Sequence, residues 1–168
     1  MHDLIGAGAP PPAVVGILAS ASRPAQPRLS DDIEPKPLRP NEIGFANRID
    51  PDLKIDADGE QLYRMVLNLL RNAVEALAGR AGAQIEILAE RKGRIVSLVI
   101  ADNGPGIPKA LQAKLFQPFA TAARAGGSGL GLAIARDLAR LHGGEMTLIA
   151  TGPDGTQFRI DIPDREEG

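Results

Sequence analysis

Between residues 58 and 77 the apolar positions fall at Leu62, Met65, Val66, Leu69, Leu70, Ala73 and Leu77, three and four residues apart. That spacing lines one stripe of an amphipathic α-helix of about five turns. Asp58 stands where an N-cap belongs, and Gln61 three residues later makes a capping-box-like pair. Gly79 and Gly82 end the helix. Two apolar, β-branched runs follow at 84–89 and 94–101, with Arg91, Lys92 and Gly93 as the tight turn between them. Residues 108–115 predict a short helix, 117–127 a loop rich in Ala and Gly, and 128–141 a second helical pattern. Strands are expected at 145–151 and 156–162, joined by Gly152, Pro153, Asp154 and Gly155, a hairpin signal. In the last run Phe158, Ile160 and Ile162 alternate with Gln157, Arg159 and Asp161, so one face is buried and the other wet. Residues 44–49 can add a short strand. The order of elements predicts an α+β fold, a two-layer sandwich of a mixed, mostly antiparallel sheet with helices on one face.

Composition changes this picture mainly at the N-terminal end. Residues 1–40 hold 8 of the 14 prolines of the 168-residue chain, which removes amide donors and breaks helices. The stretch reads as a proline-rich linker or arm, with one domain over 41–168. No internal repeat is present. The apolar run at 13–19 follows Pro10, Pro11 and Pro12, lacks a basic flank, and is too short for a membrane span or secretory signal. A cytoplasmic domain with no membrane contact of its own is therefore expected. The net charge of −2, from 19 basic and 21 acidic residues, offers no polyanion-binding surface, so no nucleic-acid partner is expected. Cys is absent and only His2 and His142 are present, which excludes disulfides, thiolate metal sites and a histidine metal cluster.

Four segments carry candidate chemistry, and each has a plainer reading when taken alone. Asn68 and Asn72 lie four apart on the first helix, so both amides project from one face. A carboxamide oxygen suits Mg²⁺, although an asparagine pair can equally decorate a solvated helix face. Asp102, Asn103, Gly104, Pro105 and Gly106 follow a buried strand, where a carboxylate can accept from an exocyclic amine; the same residues also build ordinary turns. Gly126, Gly127, Ser128, Gly129, Leu130, Gly131 and Leu132 open the second helix, whose free amides suit a phosphate chain. The segment is not the lysine-bearing phosphate loop, and glycine clusters also serve as lids and caps. Gly155, Thr156, Gln157 and Phe158 by themselves form a turn and a strand start.

Order and spacing set these segments apart. Asn68 to Asn72 resembles the N box of the Bergerat-fold ATPases, the group that holds histidine kinases, DNA gyrase and mismatch-repair ATPases. Asp102 to Gly106 resembles their first glycine box, Gly127 to Leu132 the second and Gly155 to Phe158 the third. Phe116, Gln117, Pro118 and Phe119 are similar to the F box of histidine kinases. Together with Gly129-Leu130-Gly131-Leu132 and Leu141-His142-Gly143-Gly144, this places the resemblance nearest to the ATP-binding domain of sensor histidine kinases, over residues 44–163.

The resemblance implies ATP and Mg²⁺ as cofactors. Asn72 would ligate Mg²⁺ and Asn68 would lie close to the phosphates. Asp102 would hydrogen-bond the adenine amine, Gly104 and Gly106 would shape its pocket, and Thr156 would lie near the adenine-side wall. Gly127, Ser128, Gly129, Leu130 and Gly131 would wrap the phosphates, with Arg124 in place of the lysine that family loops often carry. Glu75 stands where many relatives place a basic residue. His142 is expected at a helix end, its partial positive charge suiting the dipole, with no catalytic role. The γ-phosphoryl group would go to a histidine on a separate phosphoacceptor domain and on to a response regulator. His2-Asp3-Leu4 bears a faint likeness to a phosphoacceptor, but prolines 10–12 break any helical hairpin. A monomer is expected. Gyrase-like hydrolysis is disfavoured because that group carries a Glu base at the position of Asn68. The competing readings are a Bergerat-fold serine kinase acting as an anti-sigma factor, and a non-catalytic nucleotide-binding docking module.

Overall fold

The structure, a computed structural model, describes residues 42–119 and 129–164. Along the chain run β1 (Gly44–Ile49), α1 (Gly59–Ala76), β2 (Gln84–Lys92), β3 (Ile95–Asp102), α2 (Lys109–Gln112), α3 (Gly131–Leu141), β4 (Glu145–Gly152) and β5 (Gly155–Pro163). The strands form one sheet in the order β1-β2-β3-β5-β4. β1 pairs with β2 in parallel and every other pairing is antiparallel. A parallel neighbour needs a crossover connection, and α1 supplies it. The mixed, mostly antiparallel sheet agrees with the sequence reading.

The core lies between this sheet and the two longer helices. Leu62, Met65, Val66, Leu69, Leu70 and Ala73 of α1 are buried, as are Leu132, Ala133, Ala135 and Ala139 of α3. They meet the inward residues of the strands, Ile85, Ile87, Val96, Leu98, Ile100, Met146, Phe158, Ile160 and Ile162. Burying each large aliphatic side chain is worth about 1.5–3 kcal/mol, which is why the period-3.6 and period-2 patterns set the two layers. Among the described residues no helix is long and apolar enough to cross a membrane.

Boundaries differ from expectation in three places, each for a local reason. The β2–β3 turn is Gly93-Arg94 and not residues 91–93, because Lys92 still pairs with Ile95 and Gly93 takes φ +61°. The polar end of β2 is held there by Arg91, which bonds Asp164 and donates to the carbonyl of Lys54. The second helix starts at Gly131 instead of 128, following Gly129 at φ +72°. The short helix covers only Lys109–Gln112 and gives way to turns up to Phe116.

One cap expectation is also corrected. The Asp58 carboxylate accepts from the Gln61 amide at 2.9 Å, as a cap should. The return bond to the Asp58 amide comes from Nε2 of His142 at 3.2 Å, across the helical layer, and not from Gln61. Since Nε2 accepts, the proton sits on Nδ1, which donates to the carbonyl of Leu138 at 2.8 Å. His142 at the end of α3 therefore bridges the start of α1 and its own helix through its two ring nitrogens.

Candidate functional site

Asn68, Asn72 and Ala76 follow at four-residue spacing on α1 and form a row about 12 Å long. At one end lies the start of α3: a β-carbon on Gly131 would stand 3.4 Å from Oδ1 of Asn68. At the other end lies the turn after β3: a β-carbon on Gly104 would stand 3.5 Å from both the β-carbon and the carbonyl oxygen of Ala76. Asn72 thus sits between two segments that are far apart in the chain. Both asparagines are half-buried. Among the described residues no hydrogen bond holds either carboxamide. Glu75, on the same helix, faces outward.

Asp102 is the last residue of β3, and its Oδ1 accepts from the Gly104 amide at 2.8 Å, which folds the turn back on itself. Asn103 is a structural member of this turn. Its Oδ1 accepts from the Gln84 amide at 2.8 Å and its Nδ2 donates to the Gly82 carbonyl at 2.9 Å, tying the turn to the start of β2. Gly106 has φ +84°, and a β-carbon there would lie 2.3 Å from the Gly152 carbonyl oxygen. Only glycine fits where the turn crosses the β4–β5 hairpin so closely.

Thr156 faces Asp102 across the β3–β5 ladder and is 4% exposed. Its hydroxyl lies 2.9 Å from that of Thr151, which accepts the Ile107 amide at 2.8 Å. The hairpin, the turn and the Asp102 strand end are therefore one hydrogen-bonded unit. An open cleft of about 230 Å³ beside Asp102 is lined by Thr151, Gly152, Asp154, Gly155 and Thr156. No residue of α1 lines it, so it marks only the hairpin half of the arrangement.

The third segment supplies a helix start. Leu130 is the N-cap of α3, no side chain among the described residues caps the first turn, and no acidic residue lies in it. The first-turn amides of a helix have no partner within the helix, and the helix dipole favours an anion there. Gly129 and Gly131 flank this point, whereas Arg124, Gly127 and Ser128 lie outside the described residues.

Below the site, Arg136 donates from Nε to Glu145 at 2.9 Å, and Arg140 reaches the other carboxylate oxygen at 3.1 Å. The Arg136 hydrogen bond is the main reason that the Glu145 carboxyl titrates at about 2 instead of 4.5; the Met146 amide and Arg140 add to it, against the opposing effect of burial. The Arg136 guanidinium also covers the Phe116 ring at 4.7 Å.

Asn68, Asn72, Asp102, Gly104, Gly106, Leu130, Gly131 and Thr156 are thus strung along the C-terminal half of α1, from the α3 start to the adjoining ends of β3 and β5. Sequence reasoning passed over Thr151, which a two-residue hairpin turn places directly opposite Thr156. It also passed over Arg136 and Glu145, whose partnership spans a helix and a strand and leaves no spacing signal.

The sequence family described as histidine kinase-, DNA gyrase B-, and HSP90-like ATPase matches residues 57–166. The sensory histidine kinase/phosphatase NtrB of Salmonella typhimurium is 35% identical over 137 residues, covering 76% of this chain and 39% of that protein. The chain therefore spans well under half the length of that curated relative. Among solved structures, the mycobacterial sensor histidine kinase MprB is 33% identical with a TM-score of 0.63, covering 73% of this chain and 84% of that one. Full-length ShkA in complex with AMPPNP is 29% identical with a TM-score of 0.60, covering 73% of this chain and 25% of that one. The chain belongs to the histidine kinase-, DNA gyrase B- and HSP90-like ATPase family, and its relatives within it are sensor histidine kinases.

Proposed function

We propose that residues 41–168 are the ATP-binding catalytic domain of a sensor histidine kinase, with residues 1–40 as its linker. The observation that carries this reading is the Asn68–Asn72–Ala76 row, bracketed by the start of α3 and by the Asp102 turn. An elongated ligand with an amine-bearing ring at one end and anionic groups at the other fits that order of partners. The Asp102 carboxylate accepts from the adenine amine, and the Thr151–Thr156 pair keeps the strand end rigid behind it. The amides at the start of α3 receive the phosphates beside Asn68. AMPPNP in the related ShkA structure accords with this orientation-free part of the reading, that the fold holds an adenine nucleotide.

The donor set suits Mg²⁺ as a companion of the phosphates. Among the described residues no three His, Cys, Asp or Glu side chains converge, so the protein contribution is a hard amide oxygen, which Asn72 is placed to supply. When bound, the ion would neutralise phosphate charge for in-line transfer. The chain's own residues hold and orient the nucleotide, and the phosphoacceptor histidine belongs to a separate domain. The bond from the γ-phosphorus to its bridging oxygen breaks, a bond to an imidazole nitrogen of a separate phosphoacceptor domain forms, and ADP leaves. From there the group passes to a response regulator. Asn68 carries no basic carboxylate, so it cannot activate water, and intrinsic hydrolysis is slow. The domain works as a cytoplasmic monomer.

Calorimetric titration with a non-hydrolysable ATP analogue, with and without Mg²⁺, tests this. Asp102→Asn should weaken binding at least about tenfold by loss of a charged acceptor. Asn72→Ala should abolish the Mg²⁺ dependence. A folded chain that binds no nucleotide would sink the reading in favour of a docking module, and brisk ATP turnover would sink the kinase assignment.

A further inference from the structure

We propose that Arg136 is a positioning residue: its guanidinium, locked by Glu145, clamps Phe116 and so sets where the chain departs from Phe116 and returns at Gly129. Phe116 is half-buried and packs against the core edge-on to Phe158, with ring centroids 6.3 Å apart and planes at 75°. The guanidinium carbon sits 4.7 Å from the Phe116 centroid, within cation–π range. Its Nε–H is spent on Glu145 at 2.9 Å, which fixes the plane that covers the ring. Arg140 holds the second carboxylate oxygen, so Glu145 cannot rotate away.

What this clamp governs is visible three residues later. The Phe119 amide donates to the Gly129 carbonyl at 2.9 Å, closing the base of the connection. Phe119 takes φ +65°, a backbone state that phenylalanine adopts only when its surroundings impose it. Its own side chain is 65% exposed and makes no anchor. Among the described residues, Phe119 is held between Phe116, three residues before it, and the chain leading into α3, through the Gly129 carbonyl. Arg136 joins the two: it belongs to α3, five residues after Gly131, and lies on the Phe116 ring. Through this path the guanidinium sets the register between the departing chain and the α3 start beside Asn68. Its side chain is 31% exposed, so the contact is of the weaker, partly solvated kind.

The test is amide hydrogen exchange on the purified chain, with Arg136→Gln, Phe116→Leu and the double variant. Each single change should raise exchange at the Phe119 amide about fivefold, the size of a partly exposed cation–π contact, while core amides of α1 and β5 keep their rates. The double variant should match the singles, because both act on one path. An unchanged Phe119 amide, a uniform rise across the domain, or additive effects would each overturn the proposal. A second arm rests on the nucleotide reading above: Arg136→Gln should weaken an ATP analogue about fivefold and leave adenosine, which lacks phosphates, unaffected. Equal losses for both ligands would overturn the positioning role. If the unaltered chain bound neither ligand, the nucleotide reading would fall, and the exchange data would still decide on Arg136.

Discussion

The amide of Asp58 donates to Nε2 of His142, 84 residues further along the chain. The residue that begins α1 is thereby tied to the residue that ends α3, and the bond stands where a capping-box side chain would normally act. Replacing His142 with Ala removes the acceptor from the Asp58 amide and the donor from the Leu138 carbonyl. We expect a loss of about 1–3 kcal/mol in urea unfolding, from two backbone groups left unpaired or solvated. Nucleotide affinity at 25 °C should stay within about twofold, since the bond lies away from the Asn68 row and such surface-side losses are local. An unfolding midpoint equal to that of the parent chain would refute the bridging role.

Two glycines with similar backbone angles should respond very differently to alanine. Gly79 has φ +72° with nothing near a would-be β-carbon, whereas Gly106 has φ +84° and the Gly152 carbonyl in the way. Gly79→Ala should cost about 1 kcal/mol, the ordinary left-handed penalty. Gly106→Ala adds a backbone clash that the hairpin cannot relieve, so we expect more than about 2 kcal/mol and a loosened Asp102 turn. Thermal melts of the two variants side by side measure the contrast; equal costs would mean that the turn and hairpin are not in contact.

Glu145 sets an acid dependence with a definite sign. Its carboxyl titrates at about 2 in the folded chain, chiefly through the Arg136 hydrogen bond, against an ordinary 4.5. A depressed carboxylate stabilises the fold above its unfolded value and loses that contribution as pH falls toward the folded one. The stability advantage of the parent chain over Glu145→Gln should therefore be full at pH 6 and shrink between about 4.5 and 2. Urea midpoints of both proteins at several pH values provide the check. The group is more than a third exposed, so the advantage is modest and falls with added salt. A difference that does not change on acidification would rule out the charge-based account.

Gly131→Ala separates fold from function at the α3 start. A β-carbon there meets Oδ1 of Asn68 at 3.4 Å, an ordinary contact, and alanine is the better helix former. Stability should be unchanged or higher by up to about 1 kcal/mol. Affinity for an ATP analogue should nevertheless fall, because the methyl group occupies the space between the helix amides and Asn68 where phosphate is proposed to lie. Unchanged affinity would move the phosphate site elsewhere.

Much of this protein is determined by local pattern. The apolar stripe from Leu62 to Ala73 and the alternation of Phe158, Ile160 and Ile162 lead directly to α1, β5 and a two-layer core, because periodicity and burial are properties of short segments. The order of the Asn, Asp and Gly segments was likewise sufficient to place the chain in its family. Tertiary structure alone decided the rest. It assigned Asn103 to holding the turn and Thr151 to backing Thr156, and made His142 a bridge to the Asp58 amide. It also paired Arg136 with Glu145 and Phe116. Each of these depends on which elements become neighbours after folding. A hydrogen bond or ring contact between distant residues acts over a few ångströms in space, and leaves no period along the chain from which it could be read.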